Sequence, residues 1–379
     1  MTSYEPWEKP LRERLSMLKP DTHRVAYFAP KPDSASFRYR CYNTTQALNT
    51  FSSLISASYF YLSDLPHIPD LSEYADTLVV FRTPYDTDIH RVINRFSRLG
   101  RRVIFDVDDL VFDVAFAPLV TSNLNYKMMG GEGIDQWFSF IANIGACMRL
   151  CDAVITTNSY LQERVQNFSG LEAEVLPNFL NQEQLDISAQ LRHEKSNEMV
   201  GGGVRLGYFS GSHSHAKDFA VAAHEIAGFL EESPESTLTV LGHLQVPEVL
   251  RNLSPQIRRL PFVNFKELQR EMGNVDLNLV PLQMSPFTFS KSELKYFEAA
   301  IVHTVTMASP TPLFSEVISD SENGFLASAG EWNEKLRSFQ AMSQSDREKI
   351  ARAARHHAEL SYSPSAMVPQ LEKILARGN

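Results

Sequence analysis

Short apolar runs alternate with segments of helical period along most of the chain. The runs lie at residues 24–29, 77–82, 102–105, 153–156, 174–176, 204–209, 236–241, 259–262, 275–281 and 304–308. Runs of this length, most of them rich in valine, leucine and phenylalanine, predict strands that are buried in a sheet. Segments between them space apolar residues three and four apart and predict helices, among them residues 41–49, 135–150, 160–167 and 265–272. Strand and helix in alternation predict an α/β protein.

A polar and then glycine-rich segment, residues 191–203, interrupts this alternation near the middle of the chain. Such a composition suits an interdomain linker. A chain of 379 residues is long enough for two or three domains with cores of their own. We therefore predict a Rossmann-like N-terminal domain at residues 1–190 and a second Rossmann-like domain at residues 204–360.

Composition excludes several classes of protein. The net charge of −9 argues against a nucleic-acid partner, which would require a basic surface. No run reaches the ~18 apolar residues of a transmembrane helix, and the start, MTSYEPWEKPLRERL, lacks the apolar core of a signal peptide. The cysteines Cys41, Cys147 and Cys151 fit a reducing compartment, and no second ligand pair accompanies them to form a zinc site. We expect a cytoplasmic protein.

A local excess of arginine runs against the overall acidity. Arg91, Arg95 and Arg98 lie on one side of a predicted helix. They are candidates for a peripheral contact with the head groups of anionic lipids at the inner face of the membrane, or for an acceptor phosphate. A solvated helix face is the alternative.

Polar residues follow the first predicted strand at a sheet edge. The loop at residues 30–39 lacks the Gly-x-Gly-x-x-Gly pattern, which disfavours a nicotinamide or flavin enzyme. Instead this region carries Arg38 and Arg40, whose guanidinium groups match phosphate and carboxylate. Pairing with acidic side chains on the surface is the alternative.

Acidic residues follow the strand at residues 102–105. Asp106, Asp108 and Asp109 are expected at a cleft rather than in the core, where they would bind an acceptor or cap the next loop. Their spacing also resembles the Asp-x-Asp of GT-A glycosyltransferases, in which carboxylates hold a divalent metal. We rank a GT-A site lower than the interpretation given next, because that interpretation depends on a more specific motif far downstream in the sequence.

That motif is the segment at residues 285–309, SPFTFSKSELKYFEAAIVHTVTMAS. It predicts a loop at residues 285–290 and then a helix, with Ser290 or Ser292 as its N-cap, Lys291 in its first turn and Glu298 on an otherwise apolar face. The segment resembles the donor-site motif of GT-B glycosyltransferases of the retaining, group-1 type, in its K-S-E-L-K-x-x-E-A-A form. The common form of that motif has two glutamates separated by seven residues. In this chain Ser290 occupies the position of the first of these glutamates, so that glutamate is missing. Glu293 is a candidate substitute for it.

A second part of the resemblance is the loop at residues 210–217, SGSHSHAK. In the family this loop contacts the donor diphosphate through an arginine and, five residues later, a lysine. Lys217 occupies the position of the family's lysine, and Ser212 occupies that of its arginine. The negative charge of the diphosphate must then be neutralised by Lys217, Lys291, backbone N–H groups and the nearby histidines. His213 and His215 alone do not make a metal site.

The resemblance implies a fold, a reaction and a set of site residues. It implies two Rossmann-like domains facing each other across a cleft, with a C-terminal helix in residues 361–379 crossing back to the first. It implies sugar transfer from a nucleotide-sugar to the hydroxyl of a glycan, lipid-linked or other acceptor, with retention, of the kind that builds surface polysaccharides and glycoconjugates. The nucleotide-sugar is a co-substrate, and neither a metal nor another cofactor is expected.

The implied roles divide between the two domains. Lys217 and Lys291 are assigned to the phosphates and Glu298 to the ribose hydroxyls. The remaining donor-binding candidates are Gly211, Ser212, His213, His215, Gly242, Ser290, Ser292, Glu293 and Leu294. The acceptor-side candidates are Arg38, Arg40, Asp106, Asp108, Asp109 and Asn158, the last from a Thr-x-Ser turn before a helix. A nucleotide-sugar 2-epimerase of the same fold and a non-catalytic binding protein are the alternatives, the latter favoured by the serines at positions 212 and 290.

Overall fold

The computed structural model describes residues 5–33, 35–68, 70–123, 130–194, 203–211 and 216–376. Its strands form two six-stranded parallel sheets. The first sheet has the order β2-β1-β3-β4-β5-β6. Its strands are β1 (His23–Ala29), β2 (Ile55–Tyr61), β3 (Thr77–Phe81), β4 (Val103–Asp106), β5 (Ala153–Thr156) and β6 (Glu172–Val175).

The second sheet has the order β12-β11-β10-β7-β8-β9. Its strands are β7 (Arg205–Ser210), β8 (Thr237–Gly242), β9 (Ile257–Leu260), β10 (Leu277–Val280), β11 (Val305–Ala308) and β12 (Phe325–Leu326). The prediction of an α/β protein with two Rossmann-like sheets is confirmed. The first sheet uses residues 23–175 and the second residues 205–326, while the domain limits 1–190 and 204–360 stay predictions.

Helices cover both sheets. In chain order they are α1 (Leu11–Ser16), α2 (Thr44–Phe51), α3 (Thr87–Arg98), α4 (Ala117–Asn123), α5 (Gly130–Met148), α6 (Ser159–Ser169), α7 (Gln182–Glu194), α8 (Ala216–Ala220), α9 (Ala223–Glu232), α10 (Phe265–Gly273), α11 (Pro286–Phe289), α12 (Leu294–Ile301), α13 (Pro312–Val317), α14 (Trp332–Ala341), α15 (Gln344–Tyr362) and α16 (Pro364–Leu375). A π-helical turn, Arg38–Asn43, precedes α2, and 3-10 turns lie at Leu62–His67, Leu71–Glu73, Val114–Phe116 and Glu248–Gln256.

Local sequence explains why these elements form. Every residue of β3 is buried, as expected of a strand covered by helices on both faces. In α3 the apolar residues Ile89, Ile93 and Phe96 are buried, which is a helical spacing. The carboxylate of Asp86 accepts the free backbone N–H groups at the start of that helix.

Strand register brings the functional segments to common edges. Phe81 pairs with Asp106, so β3 and β4 end together, and the residues after them lie at one edge of the first sheet. In the second sheet Val280 pairs with Ala308 and Ser210 with Gly242. Ligands of open α/β sheets bind at such carboxyl edges.

The C-terminal segment joins the two halves. The Tyr362 ring at the end of α15 stacks on Phe297 of α12, with ring centroids 4.7 Å apart. After Ser363 the chain continues as α16, which packs on α2 beside the first sheet. There Ser52 Oγ donates to a carboxylate oxygen of Glu372 at 2.6 Å. The predicted return of the C-terminal helix is confirmed.

Three local predictions are wrong. Residues 286–289 form the short helix α11, capped by Ser285, rather than a loop. The following helix begins at Leu294 with Glu293 at its N-cap position, so Ser290 does not cap it, although Ser292 Oγ accepts from the Leu294 backbone N–H at 3.3 Å; Lys291 lies in the connection between α11 and α12. Part of the predicted linker is also helical, since α7 extends to Glu194; residues 195–202 lie outside the described chain.

Candidate active site

A cleft of about 320 Å³ lies between the facing edges of the two sheets. Both halves of the chain contribute to its walls. From the first half it is lined by Ala35, Ser36, Arg38, Tyr39, Asp108, Asp109 and Asn178. From the second half it is lined by Phe209, Ser210, Gly211, Leu241, Phe262, Val263, Phe265, Leu268, Met272, Val280, Leu282, Lys291, Ser292, Leu294, Lys295, Glu298 and Phe314.

Glu298 is a carboxylate with two unequal oxygens. Its side chain is 3% exposed, and in the described chain all its hydrogen bonds go to Oε1. Arg38 Nη2 donates at 3.2 Å, Gln184 Nε2 at 2.9 Å, and the Tyr39 hydroxyl donates as well. Burial raises the pKa of the Tyr39 phenol, which keeps it protonated as a donor. Oε1 is therefore bonded to the protein, whereas Oε2 has no hydrogen-bond partner among the described residues.

Lys295 lies three residues before Glu298 on α12, so the two side chains share a helix face. Its side chain lines the cleft and is half-buried, and Nζ lies 5.2 Å from the centre of the Tyr208 ring. The pKa of Lys295 is lowered to about 8, chiefly by burial; the charge of Lys291 acts in the same direction, whereas Asp218 and Glu298 oppose the shift. No carboxylate among the described residues forms an ion pair with it.

Lys291 and the aspartates form an ion-pair chain across the cleft. Lys291 Nζ lies 3.0 Å from Asp109 Oδ1 and 4.3 Å from the centre of the Phe287 ring. Arg82 Nη1 lies 2.8 Å from Asp108 Oδ1 and 3.2 Å from Asp109 Oδ2. Both aspartates are thus neutralised by cations of the protein itself.

Two asparagines hold the connection between α11 and α12 in place. Asn158 caps α6 by accepting from Leu161 N at 2.8 Å, and its amide also donates to the Lys291 carbonyl at 3.1 Å. Asn178 Nδ2 donates to Ser292 Oγ at 3.1 Å. The connection between α11 and α12 is therefore bonded to the first half of the chain.

Arg40 and Asp106 do not occupy the position we expected. They form a bidentate pair, with Nε to Oδ1 at 2.8 Å and Nη2 to Oδ2 at 3.1 Å. Both side chains are 1% exposed, and Arg40 also donates to the Leu176 carbonyl at 2.7 Å. The prediction that Asp106 faces a cleft rather than the core is wrong, because its carboxylate is consumed by a buried guanidinium.

Two candidates for sugar recognition also lie outside the cleft lining of the described chain. Ser290 is fully buried, and its hydroxyl donates to the Phe287 carbonyl at 2.7 Å. Glu293 is 2% exposed and lies beside Tyr362, and burial raises its pKa to about 7. Glu293 is therefore in no position to replace the missing glutamate.

The remaining donor candidates divide between observed and undescribed residues. Gly211, Ser292 and Leu294 line the cleft. Gly242 turns the chain after β8 at φ +96°, where a Cβ would lie 2.0 Å from the Ser210 carbonyl oxygen, so glycine is required. Lys217 is exposed and its Nζ donates to the Ser122 carbonyl at 2.7 Å, across the interface between the two halves. Ser212, His213 and His215 lie outside the described residues.

Sequence reasoning missed four residues at this site: Tyr39, Arg82, Gln184 and Lys295. Tyr39 stands between the two arginines that we singled out, and Lys295 belongs to the K-S-E-L-K motif, so both carried a signal. Arg82 ends a predicted strand without any pattern around it. Gln184 lies on α7, for which no helix was predicted.

Of the three arginines predicted on one side of α3, Arg91 and Arg95 form ion pairs with aspartates. Arg91 bonds to Asp88 at 2.7 Å and Arg95 to Asp70 at 2.5 Å, both at the surface. No helix in the described part of the chain is long and apolar enough to span a bilayer. Within the same residues, no three histidine, cysteine or acidic side chains are grouped so as to hold a metal ion.

Comparison with known proteins places the fold. No model of a known protein family matches the sequence, and no curated protein matches it. Among solved structures, a glycosyltransferase from Rickettsia africae ESF-5 superimposes with a TM-score of 0.63 at 11% identity, over 94% of this chain and 98% of the other. WaaG, a glycosyltransferase involved in lipopolysaccharide biosynthesis, superimposes with a TM-score of 0.60 at 14% identity, over 93% of this chain and 100% of the other.

HepE of Anabaena, solved in complex with UDP, gives a TM-score of 0.58 at 14% identity, over 93% of this chain and 99% of the other. A further HepE structure contains UDP-glucose. The chain has the GT-B fold. At these identities the likeness establishes GT-B architecture alone. The cleft described above is the space between the two GT-B halves.

Proposed function

We propose that this chain is a glycosyltransferase that moves a sugar from a nucleotide-sugar to an acceptor hydroxyl, with retention of configuration. One observation carries the proposal. Glu298, whose Oε1 is held by the other half of the protein, lines an interdomain cleft together with Lys291 and Lys295. HepE, which shares the fold, was solved with UDP and with UDP-glucose.

The arrangement suits the charges of sugar transfer. When the bond from the sugar carbon to the diphosphate breaks, negative charge develops on the phosphate and positive charge on the sugar ring. The ammonium group of Lys291 stabilises the negative charge on the phosphate, because a cation already held at that position needs no reorganisation during the reaction. Glu298 Oε2 accepts hydrogen bonds from the ribose hydroxyls and so fixes the donor in one orientation.

Retention follows from attack on the same face of the sugar. The acceptor oxygen bonds to the anomeric carbon as the phosphate departs, and a phosphate oxygen takes the acceptor proton. This route needs no side-chain nucleophile. We propose a hydroxyl of a glycan or a lipid-linked sugar as the acceptor, on the side of the cleft formed by Arg38, Asp108 and Asp109.

Lys291 must exchange partners during this reaction. In the present structure its ammonium contacts Asp109, so the diphosphate competes with that carboxylate. The exchange releases Asp109 next to the site of the acceptor. Asp109 then becomes available to orient an acceptor hydroxyl.

A panel of nucleotide-sugars with labelled sugars, incubated with and without glycan and lipid-linked acceptors, tests the proposal. We expect one donor to yield labelled acceptor or slow release of sugar to water, and NMR of the product to show the donor's anomeric configuration. An epimerised nucleotide-sugar would instead establish the 2-epimerase. Donor binding without any turnover would establish the binding protein, which the buried Ser290 favours.

A further inference from the structure

Among the described residues Lys295 forms no ion pair with a carboxylate, in contrast to Lys291 and Arg38. Lys291 contacts Asp109 at 3.0 Å, Arg38 contacts Glu298 at 3.2 Å, and Lys217 donates to a backbone carbonyl. Lys295 lines the same cleft, yet no described carboxylate pairs with it. Its nearest described aromatic contact is the face of Tyr208, a weak substitute for a counter-ion.

The position of Lys295 is fixed by the sheet behind it. Asn278 Nδ2, on the central strand β10, donates to the Lys295 carbonyl at 2.9 Å. The residue lies in the first turn of α12 and faces the end of β7, where Ser210 and Gly211 line the cleft. The side chain is thus held between the helix that carries Glu298 and the end of β7.

A cation kept in this position costs stability in the unliganded protein. Burial disfavours the charged form and lowers the pKa of Lys295 to about 8. In the described chain the charged groups that face it are Asp218 on α8 and Glu298 on α12, which oppose this shift, and Lys291, which contributes to it. An apolar residue of equal length would fit the same space without this penalty.

We propose that Lys295, rather than Lys217, is the second cation that binds the donor diphosphate. Lys295 and Lys291 then supply the positive charge that an arginine would supply at the position of Ser212. The inference rests on the proposed function, since it assigns a ligand group within that site. Lys217 instead ties the two halves together through Ser122.

Proton uptake distinguishes a binding role from a structural one. A diphosphate next to Lys295 raises the pKa of its ammonium. At pH 8, where a fraction of the lysine is neutral, binding must therefore draw protons from the buffer. Calorimetry in two buffers of different ionisation enthalpy measures this uptake directly.

The test uses the full chain with UDP, GDP and inorganic pyrophosphate as probes. We expect Lys295→Met to weaken diphosphate binding by roughly ten- to a hundredfold, to abolish the proton uptake at pH 8, and to raise the melting temperature of the unliganded protein by about 2 to 4 °C. Lys295→Arg should recover part of the affinity. Lys217→Met and the surface control Lys335→Met, whose lysine pairs with Asp320, should change the affinity less than threefold.

The possible outcomes distinguish a failure of the proposed role of Lys295 from a failure of the proposed function. Wild-type binding that Lys295→Met leaves unchanged, or weakening by Lys217→Met alone, would overturn the role of Lys295 and leave the proposed function standing. Absence of diphosphate binding by the wild type would overturn both. A fall in melting temperature together with normal proton uptake in Lys295→Met would show that the lysine is structural.

Discussion

Lys291 Nζ lies 3.0 Å from Asp109 Oδ1, so a cation on the donor side of the cleft is neutralised by a carboxylate of the opposite half. Both side chains are 23% exposed, which places the pair at the cleft surface rather than in the core. The carboxylate occupies a position that suits an anionic ligand. The unliganded protein thus carries an internal competitor for the diphosphate.

The first prediction concerns that competitor. Asp109→Asn removes the charge that the diphosphate has to displace, so we expect nucleoside diphosphate to bind about three- to tenfold more tightly. Calorimetry with UDP and GDP measures the change. Asp88→Asn, which removes an exposed partner of Arg91, is the matched control and should have no effect. Weaker binding by Asp109→Asn would show that the carboxylate contributes to the ligand site instead.

The second prediction separates the two oxygens of Glu298. Glu298→Gln should lower turnover about a hundredfold or more, because an amide is a poor substitute at Oε2 for the ribose hydroxyls. Tyr39→Phe removes one donor to Oε1 and leaves Oε2 in place, so it should cost about 1.5 to 3 kcal/mol of stability but less than tenfold in turnover. Steady-state kinetics and denaturant unfolding of both variants give the comparison. Equal losses of activity in the two variants would indicate that Glu298 acts only by holding the halves together.

The third prediction is a pH dependence of stability. The pKa of Lys295 is lowered from 10.5 to about 8 in the folded protein, so the unfolded chain binds more protons between these values. The cost of the buried charge is fully present below pH 8 and disappears as the pH rises toward 10.5. We expect the gain in melting temperature of Lys295→Met over wild type to be largest near pH 7 and to shrink by pH 10. A constant difference would contradict the lowered pKa.

The fourth prediction concerns metal. Arg82 pairs with both Asp108 and Asp109 and is not a ligand of the donor in the proposed reaction, so a divalent cation would have to displace its guanidinium group from both carboxylates. Sugar transfer should therefore survive excess EDTA. Loss of activity that manganese restores would favour the GT-A type of site at these aspartates.

The fifth prediction tests the buried pair. Asp106→Asn leaves the Arg40 guanidinium in the core without its counter-ion, which should lower the free energy of unfolding by about 3 to 5 kcal/mol. Because neither side chain reaches the cleft, the folded variant should retain most of its turnover at low temperature. Denaturant unfolding and kinetics on the same preparation check both statements. An Asp106→Asn variant with normal stability and low activity would instead show that Asp106 takes part in acceptor binding.

The sequence by itself determined ten of the twelve strands that the structure describes and the helix α12, because these depend on local patterns, whereas β2 and β12 were not predicted. A run such as TLVVF at residues 77–81 is apolar throughout, and only a strand with both faces covered accommodates it. The helix with Glu298 was recognisable for the same reason, since its apolar residues repeat at helical spacing. Its first residue was not, because the chain forms a separate short helix around Pro286.

Only the tertiary structure decided which side chains meet. Arg38 and Arg40 are two residues apart and chemically identical, yet one contacts Glu298 in the other half and the other is buried against Asp106. The partner of Arg38 lies 260 residues away along the chain. The same holds for Lys291 and Lys295: Lys291 contacts Asp109, whereas Lys295 pairs with no carboxylate among the described residues. A side chain's partner depends on the three-dimensional packing of distant segments, and no local pattern of residues encodes it.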